Sequence, residues 1–252
     1  MREPSEMTSR FASILARTET FVADLLFPKR CIACGAPETY LCETCLGHIP
    51  RKRTHTCPVC QKTTTPDGLT CPACRSRSAL DGIFSVATFR ENRLISDAIH
   101  ILKYEYVPDL ALPLGTLLAD RIRESEIPLP DIVLPVPLHP WRERYRGFNQ
   151  SEEIARNFLT YFLPEFQISL RTDIIRRTRF TLPQAKSPNA KARRENLRGA
   201  FSLDPSVEKS ELRGKNVWLV DDVATTGATL EECARVLKKS GIARVHGIVV
   251  AR

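Results

Sequence analysis

Four CxxC pairs within 44 residues, Cys31/Cys34, Cys42/Cys45, Cys57/Cys60 and Cys71/Cys74, constrain this chain more than any other feature. A CxxC turn lets two thiolates point at one centre, and two turns complete the tetrahedral four-sulfur shell that zinc accepts at about 2.3 Å. Eight thiolates suit two structural zinc ions in closed sites, which leave no open position for catalysis. The intervening sequence is dominated by Pro, Thr and Lys/Arg and has no long apolar run, so metal must staple what hydrophobic burial cannot. Disulfides and an iron–sulfur or redox role are the competing readings of the cysteines. Short spacers favour sequential pairing, Cys31, Cys34, Cys42 and Cys45 on one ion and Cys57, Cys60, Cys71 and Cys74 on the other; cross-braced pairing is the alternative. His48 and His55 could replace a ligand, but with four thiols per ion both read as surface histidines. Cys233, alone on the apolar face of a helix, reads as a core residue.

A length of 252 residues with 42% hydrophobic and 26% charged residues rules out disorder over the whole chain and fits one full domain plus a small module. We divide it into an amphipathic helix over 1–28, a cysteine-rich module over 29–79 and an α/β domain over 80–252. The helix rests on Phe11, Ile14, Leu15, Phe21, Val22, Leu25 and Leu26, mostly at steps of three and four, and stops at Pro28. No run reaches the ~18 apolar residues of a membrane helix, and the first 27 residues carry scattered charges, so no membrane insertion, no secretory signal and a cytoplasmic location are expected. Beyond Leu80, strand patterns at 83–89, 131–136, 168–175, 216–220 and 245–251 alternate with helical patterns at 94–102, 110–122, 149–162 and 229–239. That order predicts a parallel sheet with right-handed crossovers.

The net charge is +8 and is unevenly spread: Arg171 to Arg198 holds nine basic residues against two acidic ones. Such a run reads either as a solvated loop or as a surface for a polyanion. Pro183, Pro188 and Gly199 make 177–199 a long loop, which suggests function rather than mere connection.

Residues 216–229, NVWLVDDVATTGAT, run from a buried strand to paired acids and then into a small-residue turn that opens a helix. A turn of this kind aims consecutive backbone N–H groups and the positive helix end at one anion, so Thr225, Thr226, Gly227, Ala228 and Thr229 read as a monophosphate cradle. Asp221 and Asp222 sit at the carboxyl end of the strand, where open α/β sheets bind ligands, and could accept bonds from vicinal hydroxyls. The bland alternative is a generic strand, turn and helix with acids near its N-terminus.

Residues 217–229 resemble the phosphoribosyl pyrophosphate (PRPP) signature of type I phosphoribosyltransferases. Together with Pro135-Val-Pro-Leu-His139, Arg146-Gly-Phe-Asn-Gln150 and the order Arg176, Thr178, Gln184, Arg193, Asn196, Gly199, Ala200, Phe201, the chain resembles the competence protein F (ComF) family, which carries a double zinc ribbon ahead of a transferase-like domain. The resemblance implies an α/β fold of the type I phosphoribosyltransferase kind, with Asp221 and Asp222 on the ribose hydroxyls of PRPP and Thr225 to Thr229 on its 5′-phosphate. It implies pyrophosphate contacts from the loop at Pro137, Leu138 and His139 and from Arg176 or Arg177, a mobile loop bearing Arg193 and Arg194, and magnesium bound with PRPP. Its members are linked to DNA uptake or use, so single-stranded DNA and other uptake proteins are expected partners. Transfer of ribose 5-phosphate to a nitrogen acceptor, and PRPP sensing, are the alternative functions. For base stacking, Tyr145, Phe148 and Phe180 are the candidates, each as easily buried.

Overall fold

A computed structural model describes residues 28–50, 52, 54–162, 168–181 and 190–252, with the side chains at 190, 191, 193 and 194 left aside. The helix expected over the first 27 residues lies outside the described residues. Contacts divide the chain into two compact units, 1–47 and 48–252.

In the first unit the Cys31 turn is closed by N–H bonds from Cys31 to Ala36 and from Gly35 to Cys31. Its short helix α1 (Glu43–Gly47) follows Cys42.

The second unit opens with a minimal hairpin, β1 (His55–Thr56) against β2 (Thr64–Thr65), and a one-turn helix α2 (Pro72–Arg75). After β3 (Gly82–Ala87) come α3 (Arg93–Tyr104), α4 (Ala111–Ile122), β4 (Ile132–Pro135), α5 (Pro140–Arg146) and α6 (Gln150–Phe162). Then follow β5 (Ser169–Leu170), β6 (Ile175–Arg177), α7 (Ala190–Leu197), β7 (Phe201–Leu203) and α8 (Lys209–Leu212). The chain closes with β8 (Asn216–Val223), α9 (Ala228–Lys239) and β9 (Arg244–Ala251).

Five strands form one parallel sheet in the order β3-β9-β8-β4-β5. Its central strands are buried on both faces, with Leu219, Val220, Ile248 and Val249 sealed from water, as expected of a sheet covered by crossover helices. From β4 the chain moves to β5 on one side, whereas from β8 it moves to β9 on the other. The crevice beyond the carboxyl ends of β4 and β8 is therefore the topological switch point, where such sheets bind ligands. Pairing of Pro135 with Val220 sets the loop after β4 beside the loop after β8.

Side-chain choices fix the surrounding helices. Asn92 caps α3 by accepting from the Ile95 N–H, and Ile95, Ala98, Ile99 and Leu102 form its buried stripe. Asn149 caps α6 through the Ser151 N–H and donates to the Val136 carbonyl, which ties that helix to the loop after β4. Trp218 is enclosed by Phe158 and Phe162 and donates from its indole N–H to the Pro128 carbonyl.

Three expectations change. The basic segment is not loop throughout, because α7 occupies 190–197; its good helix formers outweigh the flanking prolines. The 168–175 stretch splits, with β5 joining the sheet and β6 pairing antiparallel with β7. His55 is buried rather than at the surface: it stacks on Phe84 and donates to the Ser85 carbonyl at 3.0 Å. Burial is the largest cause of its lowered pKa, against the bond to Ser85, which pulls it up. His48 is exposed and Cys233 lies in the core.

The change in composition at Leu80 does not mark a break in packing. Thr70 donates from N–H and Oγ to the carbonyls of Asp81 and Leu80, Leu69 bridges Gly82, and Arg252 donates to the Thr56 carbonyl. The second cysteine group thus belongs to the same compact unit as the sheet.

Candidate functional site

The cysteines assemble sequentially: Cys31, Cys34, Cys42 and Cys45 form one group, Cys57, Cys60, Cys71 and Cys74 the other, each with all Sγ atoms within 4.8 Å. A tetrahedron with metal–sulfur bonds of about 2.3 Å has edges near 3.8 Å, and Cys34–Cys42 and Cys60–Cys71 stand at 3.6 and 4.0 Å. Both groups use the same supporting bond: the third cysteine's N–H donates to the first cysteine's Sγ, at 3.5 Å from Cys42 to Cys31 and 3.4 Å from Cys71 to Cys57. Backbone N–H groups of Thr63 and Lys62 bring Cys60 down to about 5. In Cys31, burial works against ionisation, yet the N–H groups of Cys42, Cys34 and Ala33 prevail and bring it to about 6. The neighbouring thiols Cys42 and Cys34 push Cys45 up to about 12, and burial, then Cys71, pushes Cys74 up to about 11. Four such sulfurs cannot all ionise without a cation among them, and zinc fits that donor set.

The second site is a cleft of about 700 Å³ at the switch point. Strand β8 delivers the acid pair to its floor. Ser151 Oγ donates to Asp221 Oδ1 at 2.8 Å, as does the Asp222 N–H at 2.9 Å. Lys103, reaching in from the end of α3, pairs with Asp222 Oδ1 at 2.8 Å. Burial, helped by the Asp222 charge, pushes Asp221 up to about 7, against the pull of Lys103 and Ser151. The turn then passes through Gly227 at φ 72°, a left-handed position suited to glycine, and α9 begins at Ala228.

Opposite stands Arg177 on β6, buried, its guanidinium 5.2 Å over the Phe201 ring. Burial, then the Arg142 charge, lowers it to about 10. Asp222 Oδ2, Thr226 Oγ1 and Arg177 Nε are buried without a hydrogen-bond partner among the described residues.

Of the residues singled out from sequence, Asp221, Asp222, Thr225, Thr229, Leu138 and Arg177 line this cleft. Thr226, Gly227 and Ala228 form the turn behind it. Arg176 does not reach the cleft: alternation along β6 turns it to the other face, where its Nε donates to Asp204. Pro137 and His139 are not in the lining either; His139 caps α5 by accepting from the Trp141 N–H at 3.2 Å. Lys103, Ser151 and Arg142 have no counterpart among the sequence candidates, and Arg146, which also lines the cleft, stood there only as part of the 146–150 motif with no site role. Lys103 had a signal: it lies four residues after Ile99 and eight after Ile95, on the apolar stripe of its helix, where a buried ammonium needs an acid.

This architecture defines a double zinc ribbon joined to a phosphoribosyltransferase-like domain. The double zinc ribbon domain family matches residues 22–75, and the phosphoribosyl transferase domain family matches residues 145–252. Competence protein F of Haemophilus influenzae is 36% identical over 143 residues, 57% of this chain and 59% of that protein, so the chain spans less than two thirds of that relative. The DNA utilization protein YhgH of Salmonella typhimurium is 30% identical over 231 residues, 88% of this chain and 96% of the relative. The chain belongs to the family of these competence protein F and DNA utilization proteins. Among solved structures, the glutamine PRPP amidotransferase from B. subtilis, complexed with ADP and GMP, is 18% identical, with 60% of this chain and 30% of that one covered and a TM-score of 0.37.

Proposed function

We propose that the cleft binds PRPP and that the protein serves DNA uptake or use, with single-stranded DNA as its macromolecular partner. Asp221 and Asp222 accept from the ribose hydroxyls, the turn Thr225 to Thr229 holds the 5′-phosphate, and Arg177 faces the pyrophosphate with the loop at Pro137, Leu138 and His139 behind it. The observation that carries this reading is convergence: the acid pair, the turn that opens α9 and a buried arginine with an unused Nε meet in one cleft. A charge-assisted bond from that arginine suits a phosphate oxygen.

Magnesium fits as part of the ligand rather than as a resident ion. Asp222 already has Lys103 as counter-cation, and among the described residues only the cysteine groups gather three or more metal-ligating side chains. PRPP's own hydroxyl and pyrophosphate oxygens would hold the magnesium, which supplies charge neutralisation when bound. A DNA role is supported by the names of the relatives and by the nine basic residues of 171–198, more charge than one pyrophosphate requires.

Titration calorimetry with PRPP and magnesium tests the site. Asp221→Asn combined with Asp222→Asn should weaken binding by about 100-fold or more, since each lost bond to a charged group is worth about 1.5–3 kcal/mol. A folded double variant with unchanged affinity overturns the assignment.

A further inference from the structure

Five aromatic rings stand exposed around the mouth of the cleft: Tyr104, Tyr106, Trp141, Tyr145 and Phe180. Trp141 and Tyr145, one turn apart on α5, have planes 3° apart and centroids 5.6 Å apart. Tyr106 meets Tyr145 edge-on at 6.1 Å, and Phe180 meets Trp141 edge-on at 5.6 Å. Trp141 is 56% exposed and Tyr145 71%, so these rings are not core residues, and a patch of this kind marks an interaction surface. Tyr106 sits at φ 60°, a left-handed conformation that disfavours a non-glycine residue, and there its ring reaches Tyr145.

Cations are interleaved with the rings. Helix α5 carries three arginines against one glutamate. Arg142 lies 5.2 Å over Phe180, and Arg146 lies 5.8 Å over Tyr104. Flat π faces alternating with guanidinium groups match a ligand that is itself an alternation of flat rings and phosphates, an unpaired nucleic-acid strand. A duplex, whose base faces are stacked inside, offers the rings nothing.

We propose that this aromatic and arginine surface is the platform on which bases of single-stranded DNA stack. It rests on the DNA reading given above and adds the place. Tyr104, Trp141, Tyr145 and Arg146 also line the cleft that holds Asp221, so a base on the platform stands at the entrance to the PRPP site.

Trp141 is a built-in reporter, because the other tryptophan, Trp218, is 1% exposed. An oligothymidylate of about 20 nucleotides added to the full chain should quench the Trp141 emission, and an abasic strand of equal length, which keeps the phosphates, should not. Trp141→Ala and Tyr145→Ala should each weaken oligothymidylate binding by about 5-fold to 100-fold, with Trp141→Phe restoring most of it. Equal affinity for the two strands, or alanine variants that bind like the parent, overturns the platform and leaves the DNA reading standing. Failure of the parent protein to bind either strand overturns both. A dimer that forms without DNA and is lost on Trp141→Ala, with no quenching by oligothymidylate, assigns the surface to a second copy of the chain and likewise overturns the proposal.

Discussion

Asp221 is a carboxyl whose surroundings hold on to its proton. Its unperturbed pKa is 3.8 and in the fold it stands at about 7, because of burial and the adjacent Asp222. Between those values the folded chain keeps a proton that the unfolded chain has released, so this residue's contribution to stability falls as pH rises from about 4 to about 7 and stays low above that. Asp221→Asn should therefore raise the thermal midpoint by about 3 °C or more at pH 8 and leave it nearly unchanged at pH 4; a variant that melts like the parent at both pH values contradicts the burial argument. The same linkage acts on the ligand. If ribose hydroxyls require the ionised carboxylate, PRPP affinity climbs with pH until about 7, with the slope of one proton, and then levels. Lys103 tests the other half of the pair. Lys103→Met leaves Asp222 buried and unpaired, which should cost about 3–5 kcal/mol, whereas Lys103→Met with Asp222→Asn should recover most of that. Urea unfolding of the two singles and the double measures the coupling, and additive losses would show that the pair is not what holds the two side chains in place.

At the scale of elements, the crossing of α4 and α6 depends on one missing methyl group. A Cβ at Gly115 would stand 2.7 Å from the Phe158 nitrogen and 3.0 Å from the Ile154 carbonyl oxygen. Gly115→Ala should thus destabilise the fold by about 1–3 kcal/mol through overpacking, although alanine is the better helix former by about 1 kcal/mol; a more stable variant would mean the helices can part at little cost. The elements most legible in sequence were those whose pattern is local. Strand β8, the acid pair and the turn into α9 could all be read from one continuous stretch, as could the four CxxC turns, because a single segment carries the whole signal. What escaped was assembled across distance. Nothing near Trp141 announces that Tyr104, Tyr106 and Phe180 will surround it, since the rings come from three separate stretches of chain. His55 looked like a surface residue because its partners, Phe84 and the Ser85 carbonyl, lie some thirty residues on. The prolines and charge of 177–199 mask the helix propensity of Ala190–Leu197, where α7 forms.

For the whole molecule, the consequential feature is that the second cysteine group is built into the unit that carries the sheet. The bonds from Thr70, His55 and Arg252 and the Leu69–Gly82 bridge attach residues 55–70 to β3, to the segment before it and to the chain end. If holding the four sulfurs together keeps this segment folded, the binding energy of a structural zinc there is also folding energy for the strand attached to it. Elemental analysis of the reduced protein should find about two zinc ions per chain, and Cys42→Ser or Cys71→Ser should each bring that to about one. Cys71→Ser should also lower the melting transition seen by Trp218, which is enclosed in the sheet, by several degrees, since β3 loses its cover along the edge of the sheet. Cys71→Ser protein with one zinc and an unchanged Trp218 transition would show the second group to be a passenger on the sheet. Less than about 1.5 zinc per parent chain would count against paired four-cysteine sites altogether.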